Sequence, residues 1–225
     1  MLELCRAIIV APTPFDGRTL AEVATELGFG DIASVFDSDS GNGMKYPVSY
    51  FLVHHRLADT DCGDVIDAVR HIDRKGLRYA PMVVMLPDTS GESVRKFVRM
   101  GFDDVISLPQ SQVQLTARLG TQLDRDITYY ETADYLGPDR RRMDADSAMH
   151  RPTGISAHTR LTIRRSPEHG TRVLSRQLRG HQHFQATVAE AVPLAPIGIV
   201  AAAQTRTFGK RMQPPQTQPA LSKRV

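Results

Sequence analysis

Ala80-Pro81-Met82-Val83-Val84-Met85-Leu86 carries no polar side chain. An apolar run this short reads as a strand buried on both faces, which is the situation of a strand inside a parallel sheet. Ser90 to Met100 follows as a helix, N-capped by Thr89 or Ser90, with Glu92 and Ser93 in its first turn. Gly101 stops it, and Asp104 to Ser107 is the next strand. The same alternation repeats towards the N-terminus. Ala7 to Val10 is a β-branched strand ended by Ala11-Pro12-Thr13-Pro14, and Leu20, Val23, Ala24 and Leu27 mark one helix face closed by Gly28 and Gly30. Ile32 to Phe36 and Tyr50 to His54 are strands, and Val65, Ile66, Val69 and Ile72 line a helix that stops by Gly76. Between those two strands, Gly43 and Pro47 work against a helix. Val113, Leu119, Leu123 and Ile127 predict a last helix running towards Tyr130.

Strands alternating with helices at short spacing build a parallel sheet covered on both faces, because a parallel crossover needs a helix and turns right-handed. The expected fold is α/β: a flavodoxin-like, doubly wound, five-stranded parallel sheet over residues 1–128. Residues 129–225 are expected to form a basic, Pro- and Arg-rich extension, partly disordered. Charge motivates that division. Residues 1–138 carry 13 Lys and Arg against 20 Asp and Glu, whereas 139–225 carry 15 against 5, within a chain of net charge +3. A change of regime near Gly137-Pro138 follows. In the extension, Arg160 to Arg165 suggests a short strand, Thr171 to Gly180 a short helix, and the residues beyond about 204 disorder. Cys5 and Cys62 fit neither a disulfide framework nor a metal pattern and suit a reducing cytoplasm. The apolar stretch Ala191 to Ala203 contains Pro193 and Pro196 and is too short to span a bilayer. The expected location is the cytoplasm.

The Ala7–Val10 strand, the Leu57-to-Gly63 segment, Ala80 to Leu86, Met100 to Ile106 and Leu108-Pro109 together resemble the receiver domains of two-component response regulators, over residues 6 to about 125. The resemblance implies a site at the carboxyl ends of the strands. There, two acids after the first strand hold Mg²⁺, an Asp after the third takes a phosphoryl group, and a Ser/Thr and a Lys grip it. The metal matters because phosphoryl transfer concentrates negative charge. In this sequence the acid pair falls on Ala11 and Pro12, the acceptor on His55 (or His54), the hydroxyl on Leu86, the lysine on Leu108 and the switch aromatic on Val105. A shift by one residue finds no acid in Val10–Pro14, no Asp in Phe51–Arg56 and no Lys in Ile106–Gln110. The expectation is a degenerate phosphorylation pocket lined by Ala11, Pro12, Leu86, Pro87 and Leu108, with no metal and no cofactor.

Other residues invite chemistry and are better read plainly. His54-His55 suggest a phosphorylated imidazole or a metal pair, but successive strand residues face opposite ways, which favours structural or partner contacts. Asp37-Ser38-Asp39-Ser40-Gly41-Asn42-Gly43 lacks the Gly at position 6 and the Glu at position 12 of a calcium loop and reads as a turn. Asp103-Asp104 has no evident catalytic partner, and His181 with His183 lacks a third metal ligand. Arg140, Arg141 and Arg142, after Gly137-Pro138-Asp139, form a cationic cluster suited to phosphate or carboxylate, with Arg160, Arg164 and Arg165 as a second. The segment Gly137 to Arg142 after a receiver-like domain resembles an arrangement of bacterial, especially alphaproteobacterial, signalling proteins. It partly resembles the double-Arg motif of cyclic-dinucleotide-binding domains, whose second element is missing here.

The expected function is non-enzymatic. A receiver fold would act as a phosphorylation-independent interaction module, with a histidine kinase, another receiver or another regulator as partner. The alternative is nucleotide or nucleic-acid binding through the Arg-rich segment, with an anionic ligand at Arg140 to Arg142. No nucleophile–base or metal constellation supports an enzyme.

Overall fold

The computed structural model describes residues 1–34, 45–87, 90–139 and 158–179. After a short 3-10 turn, Leu2–Leu4, the chain forms strand β1 (Cys5–Val10), helix α1 (Pro14–Glu26), β2 (Asp31–Ser34) and β3 (Val48–His54). It continues through α2 (Asp59–Arg70), the single turn α3 (Lys75–Arg78), β4 (Met82–Leu86), α4 (Gly91–Met100), β5 (Asp104–Ser107) and α5 (Gln112–Gly120). The first sheet has the order β2-β1-β3-β4-β5, and every pairing is parallel. That order reverses direction beside β1, the doubly wound flavodoxin-like arrangement. β4 is a continuous apolar run buried along its whole length, and β1 is equally buried although it carries Arg6, which pairs with Asp31 at 2.9 Å.

Local chemistry sets the element ends. Ser90 caps α4 by accepting from the Ser93 N–H, and Gly101 at φ +121° releases the chain into β5. Ser111 and Gln114 form a reciprocal capping box at the start of α5. One core lies beneath α1 and α5 and includes Ile9, Leu20, Tyr50, Leu52 and Leu119. The other lies beneath α2 and α4 and includes Ile8, Val53, Ile66, Val84 and Phe97. Each fully buried side chain of this size contributes about 1.5–3 kcal/mol. Both cysteines are buried free thiols; burial pushes Cys5 up to about 12 and Cys62 up to about 11, so neither is a thiolate at neutral pH.

Past α5 the structure departs from expectation. The helix ends at Gly120, not near Tyr130. Asp124 adopts a positive φ of 50°, and its N–H donates to the Arg165 carbonyl at 2.8 Å. β6 (Asp126–Glu131) then pairs antiparallel with β7 (Leu136–Pro138) and with β8 (His158–Ser166), which pairs with β9 (Gly170–Arg179). Leu119, Leu123 and Ile127 keep helical spacing by chance, while Thr128, Tyr129 and Tyr130 favour a half-buried strand. The short helix expected from Thr171 is instead β9, turned back on β8 through Gly170 at φ +73°. The expected boundary at residue 128 falls inside β6, and Gly137-Pro138 lies in β7. Within 129–139 and 158–179 the chain therefore forms β-strands joined by short loops.

This second sheet packs beneath the amino-terminal ends of the parallel strands, through a small core of Tyr79, Tyr129, Leu136, Leu161 and Ile163. A Cβ added to Gly170 would lie 3.5 Å from Pro47, just before β3. The carboxyl ends of β1 and β3, opposite this contact, stay clear of it.

Candidate functional site

The carboxyl edge is built where β1 hands over to α1. Thr13 is the N-cap: its Oγ1 accepts the Asp16 N–H at 3.1 Å and donates to Asp16 Oδ2 at 2.7 Å. Pro14 presets the first helical turn. Asp16 is thereby held inside the edge, 4% exposed. From the end of β3, His54 Nε2 comes within 3.7 Å of Asp16 Oδ1 and Arg56 Nη1 within 3.4 Å. The Thr13 hydrogen bond, helped by His54 and Arg56, holds the Asp16 carboxyl below its ordinary value against the effect of burial. Burial lowers the His54 pKa, His55 and Arg56 lower it further, and Asp16 opposes them. The edge thus presents a carboxylate engaged by a hydroxyl, an imidazole and a guanidinium.

Asp16 lies two residues beyond the Val10–Pro14 stretch to which the resemblance assigns the acid pair. Its signal was legible as capping chemistry: Thr13-Pro14-Phe15-Asp16 is a hydroxyl three residues ahead of an acid. The two histidines also behave differently from expectation. β3 ends at His54, so His55 already lies in the turn, and strand alternation no longer separates the rings. Their centroids are 4.5 Å apart, with planes inclined by 32°.

Ala11 and Pro12 line a groove of about 640 Å³ with Ile9, Thr13, Gly17 and Ile32, between β1, α1 and β2. Leu86 is buried in the core under α2 and α4, and Leu108 is half-buried on the α1 and α5 side. The Leu108 N–H donates to the Leu86 carbonyl at 2.6 Å. Val105, at the switch-aromatic position, is core. Arg140, Arg141 and Arg142, the Asp37–Gly43 loop, and His181 with His183 lie outside the described residues. Among the described residues, no three His, Cys, Asp or Glu side chains gather as metal ligands.

Asp103 and Arg165 are the residues whose importance the sequence hid. Asp103 accepts from Arg70 Nη2 at 2.7 Å, Arg165 Nη2 at 2.8 Å, the Met82 N–H at 2.9 Å and the Tyr129 hydroxyl. Arg165, grouped by sequence with Arg160 and Arg164 as a cationic cluster, is fully buried. It also donates to the Tyr79 carbonyl at 2.7 Å, Gln122 Oε1 at 2.7 Å and the Tyr129 hydroxyl at 2.5 Å. The Tyr129 ring has the Arg70 and Arg165 guanidiniums at 5.3 and 5.6 Å from its centroid. Burial alone would raise the Asp103 carboxyl, but Arg165 and Arg70 outweigh it and hold the group below its ordinary value. The neighbouring Asp104 serves locally, paired with Arg118 at 2.7 Å.

No protein-family model matches the sequence, and no curated protein matches it. Among solved structures, the chain is similar to a response regulator in red light signalling of R. palustris, with 13% identity and a TM-score of 0.36 over 52% of this chain and 89% of that one. It is also similar to the receiver domain of a sensor histidine kinase from Pseudomonas aeruginosa, with 16% identity and a TM-score of 0.39 over 52% and 94%. A two-component response regulator from Clostridium difficile matches at 18% identity and a TM-score of 0.36 over 52% and 93%. Similarity at this level leaves the fold to be defined by the chain's own all-parallel β2-β1-β3-β4-β5 order, which is that of the flavodoxin-like receiver fold.

Proposed function

We propose that this chain is a non-enzymatic signalling protein in which a receiver fold works as an interaction module without being phosphorylated. The observation that carries the reading is the carboxyl edge itself. Where a receiver keeps two metal-binding acids, this chain has Ala11 and Pro12, and Asp16, four residues beyond Pro12, is already engaged by Thr13, His54 and Arg56. The positions of the acceptor, hydroxyl and lysine are His55, Leu86 and Leu108. Phosphoryl transfer needs a metal-neutralised acceptor, and these groups supply neither part. The partners are signalling proteins that read a constitutive surface. Among the described residues no helix is long and apolar enough to cross a membrane.

The test is incubation of the full chain with acetyl phosphate and Mg²⁺, followed by intact-mass spectrometry. No phosphoryl adduct is expected, and millimolar Mg²⁺ should leave the melting temperature unchanged, since a ligand stabilises only the state that binds it. Stoichiometric Mg²⁺-dependent labelling, on any residue of the edge, would overturn the reading.

A further inference from the structure

Residues 158–179 contain six arginines and a single acid, Glu168. The pleat of the second sheet sorts these arginines by face. Tyr129, Leu161, Ile163 and Arg165 point inward, so their strand neighbours Tyr130, Arg160, Thr162 and Arg164 point outward. Register carries this across the sheet. Arg160 sits between Tyr130 on β6 and Gln177 on β9, His158 faces Arg179, and Arg164 faces Arg172. The outward Ser175 hydroxyl donates to Thr162 Oγ1 at 2.9 Å, which fixes that pairing.

The resulting surface is strongly cationic. Arg160, Arg172 and Arg179 are exposed and form no ion pair among the described residues. Arg164 is neutralised by Asp126 at 2.6 Å, and Arg176, at the rim, by Glu131 at 2.5 Å. At one end of the face, Tyr130, His158, Arg160 and Arg179 line a depression of about 270 Å³. The Tyr130 and His158 rings there are 5.5 Å apart, inclined by 49°. Guanidiniums interleaved with aromatic rings on an open antiparallel sheet supply two things at once: charge for a phosphate backbone and π-faces for splayed bases.

We propose that the outer face of β6, β8 and β9 binds single-stranded nucleic acid, RNA or DNA, with phosphates at Arg160, Arg172 and Arg179 and a base against Tyr130 and His158. This site is separate from the carboxyl edge and goes beyond the interaction role argued above. A single strand is favoured over a duplex because bases stacked inside a duplex cannot lie against the Tyr130 and His158 rings. It is favoured over an acidic protein because the charged depression is walled by two aromatic rings.

The test is fluorescence anisotropy of the full chain with a labelled oligo-uridine, an oligo-thymidine and a duplex of equal length, from 50 to 200 mM salt. Three neutralised phosphates give a log–log salt slope of about −2, and hence a loss of roughly twentyfold across that range. R160A/R179A should bind the single strands at least about tenfold more weakly, and Tyr130→Ala about tenfold more weakly, while Arg95→Ala on the opposite body should bind as wild type. The replaced arginines are exposed and Tyr130 is half-buried, and cooperative melting of each variant checks the fold. Arg172→Glu provides a second, independent weakening. Absence of binding at 50 mM salt would overturn the proposal. So would unchanged affinity in R160A/R179A, which would place binding elsewhere on the chain. Equal affinity for the duplex together with no effect of Tyr130→Ala would also overturn it, leaving only non-specific polyanion attraction.

Discussion

Asp103 and Arg165 stand 62 residues apart in the chain and 2.8 Å apart in the fold, with side chains 1% and 0% exposed. One belongs to the turn before β5 and the other to β8, so their bond joins the parallel body to the antiparallel sheet. Arg70, on the opposite side of the carboxylate, completes a cation–anion–cation arrangement stacked about Tyr129.

Breaking this group from one side should be expensive, because the partners stay buried. Asp103→Asn leaves two buried guanidiniums without their carboxylate and should cost about 3–5 kcal/mol. Tyr129→Phe removes one hydroxyl and should cost about 1–3 kcal/mol. Denaturant unfolding of the single and double variants gives the coupling energy. An Asp103→Asn cost under 1 kcal/mol would show that the group does not hold the two sheets together.

The sheet should also be needed by the body that carries it. A fragment ending at residue 125 loses Tyr129 and Arg165, uncovers Tyr79 and leaves Asp103 with Arg70 and the Met82 N–H. Losing several kcal/mol should lower the melting temperature by at least about 10 °C, or abolish a cooperative transition. A fragment that melts with the full chain would disprove the dependence.

His54 gives a pH signature. Its folded pKa lies below the ordinary histidine value, because it is buried beside His55 and Arg56, with Asp16 only partly compensating. As pH falls below about 6.5, the unfolded chain takes up a proton that the folded chain resists. The His54 contribution is therefore whole above that pH and is lost as pH drops through the folded pKa. His54→Gln should flatten the fall in stability below about pH 6.5. Asp103 contributes in a separate window: its folded pKa is depressed from 3.8, so its share is lost only in stronger acid. Parallel curves for wild type and His54→Gln would refute the assignment.

Gly30 marks a close approach of backbone to backbone. A Cβ there would lie 1.9 Å from the Glu3 carbonyl oxygen and 2.5 Å from the Tyr46 ring, whose hydroxyl donates to the Gly30 carbonyl at 2.6 Å. Gly30→Ala must displace the first turn of the chain and should cost about 1–3 kcal/mol by thermal unfolding. Gly63→Ala, where a Cβ meets nothing within 4 Å, is the matched control and should be neutral or slightly stabilising.

The parallel half was written in the sequence because each of its elements is decided locally. Met82 to Leu86 is apolar enough to be buried whatever follows it, and Ser90 and Gly101 set the ends of α4 through their own backbone preferences. Repeated alternation then leaves few topologies, and the lack of an acid from Val10 to Pro14 is visible by counting. The antiparallel half was not written that way. Tyr129 and Arg165 acquire meaning only from Asp103, Arg70 and Gln122, which reach them from distant parts of the chain. An arginine inside a polar, Arg-rich stretch looks solvated until a buried carboxylate is found for it. The same holds for Asp16, a helix-capping acid by sequence, which became a partner of His54 and Arg56 once β3 was laid beside β1. Tertiary structure decided which arginines became core and which remained on the outer face, because desolvating a charge is tolerated only where the fold delivers its counter-charge.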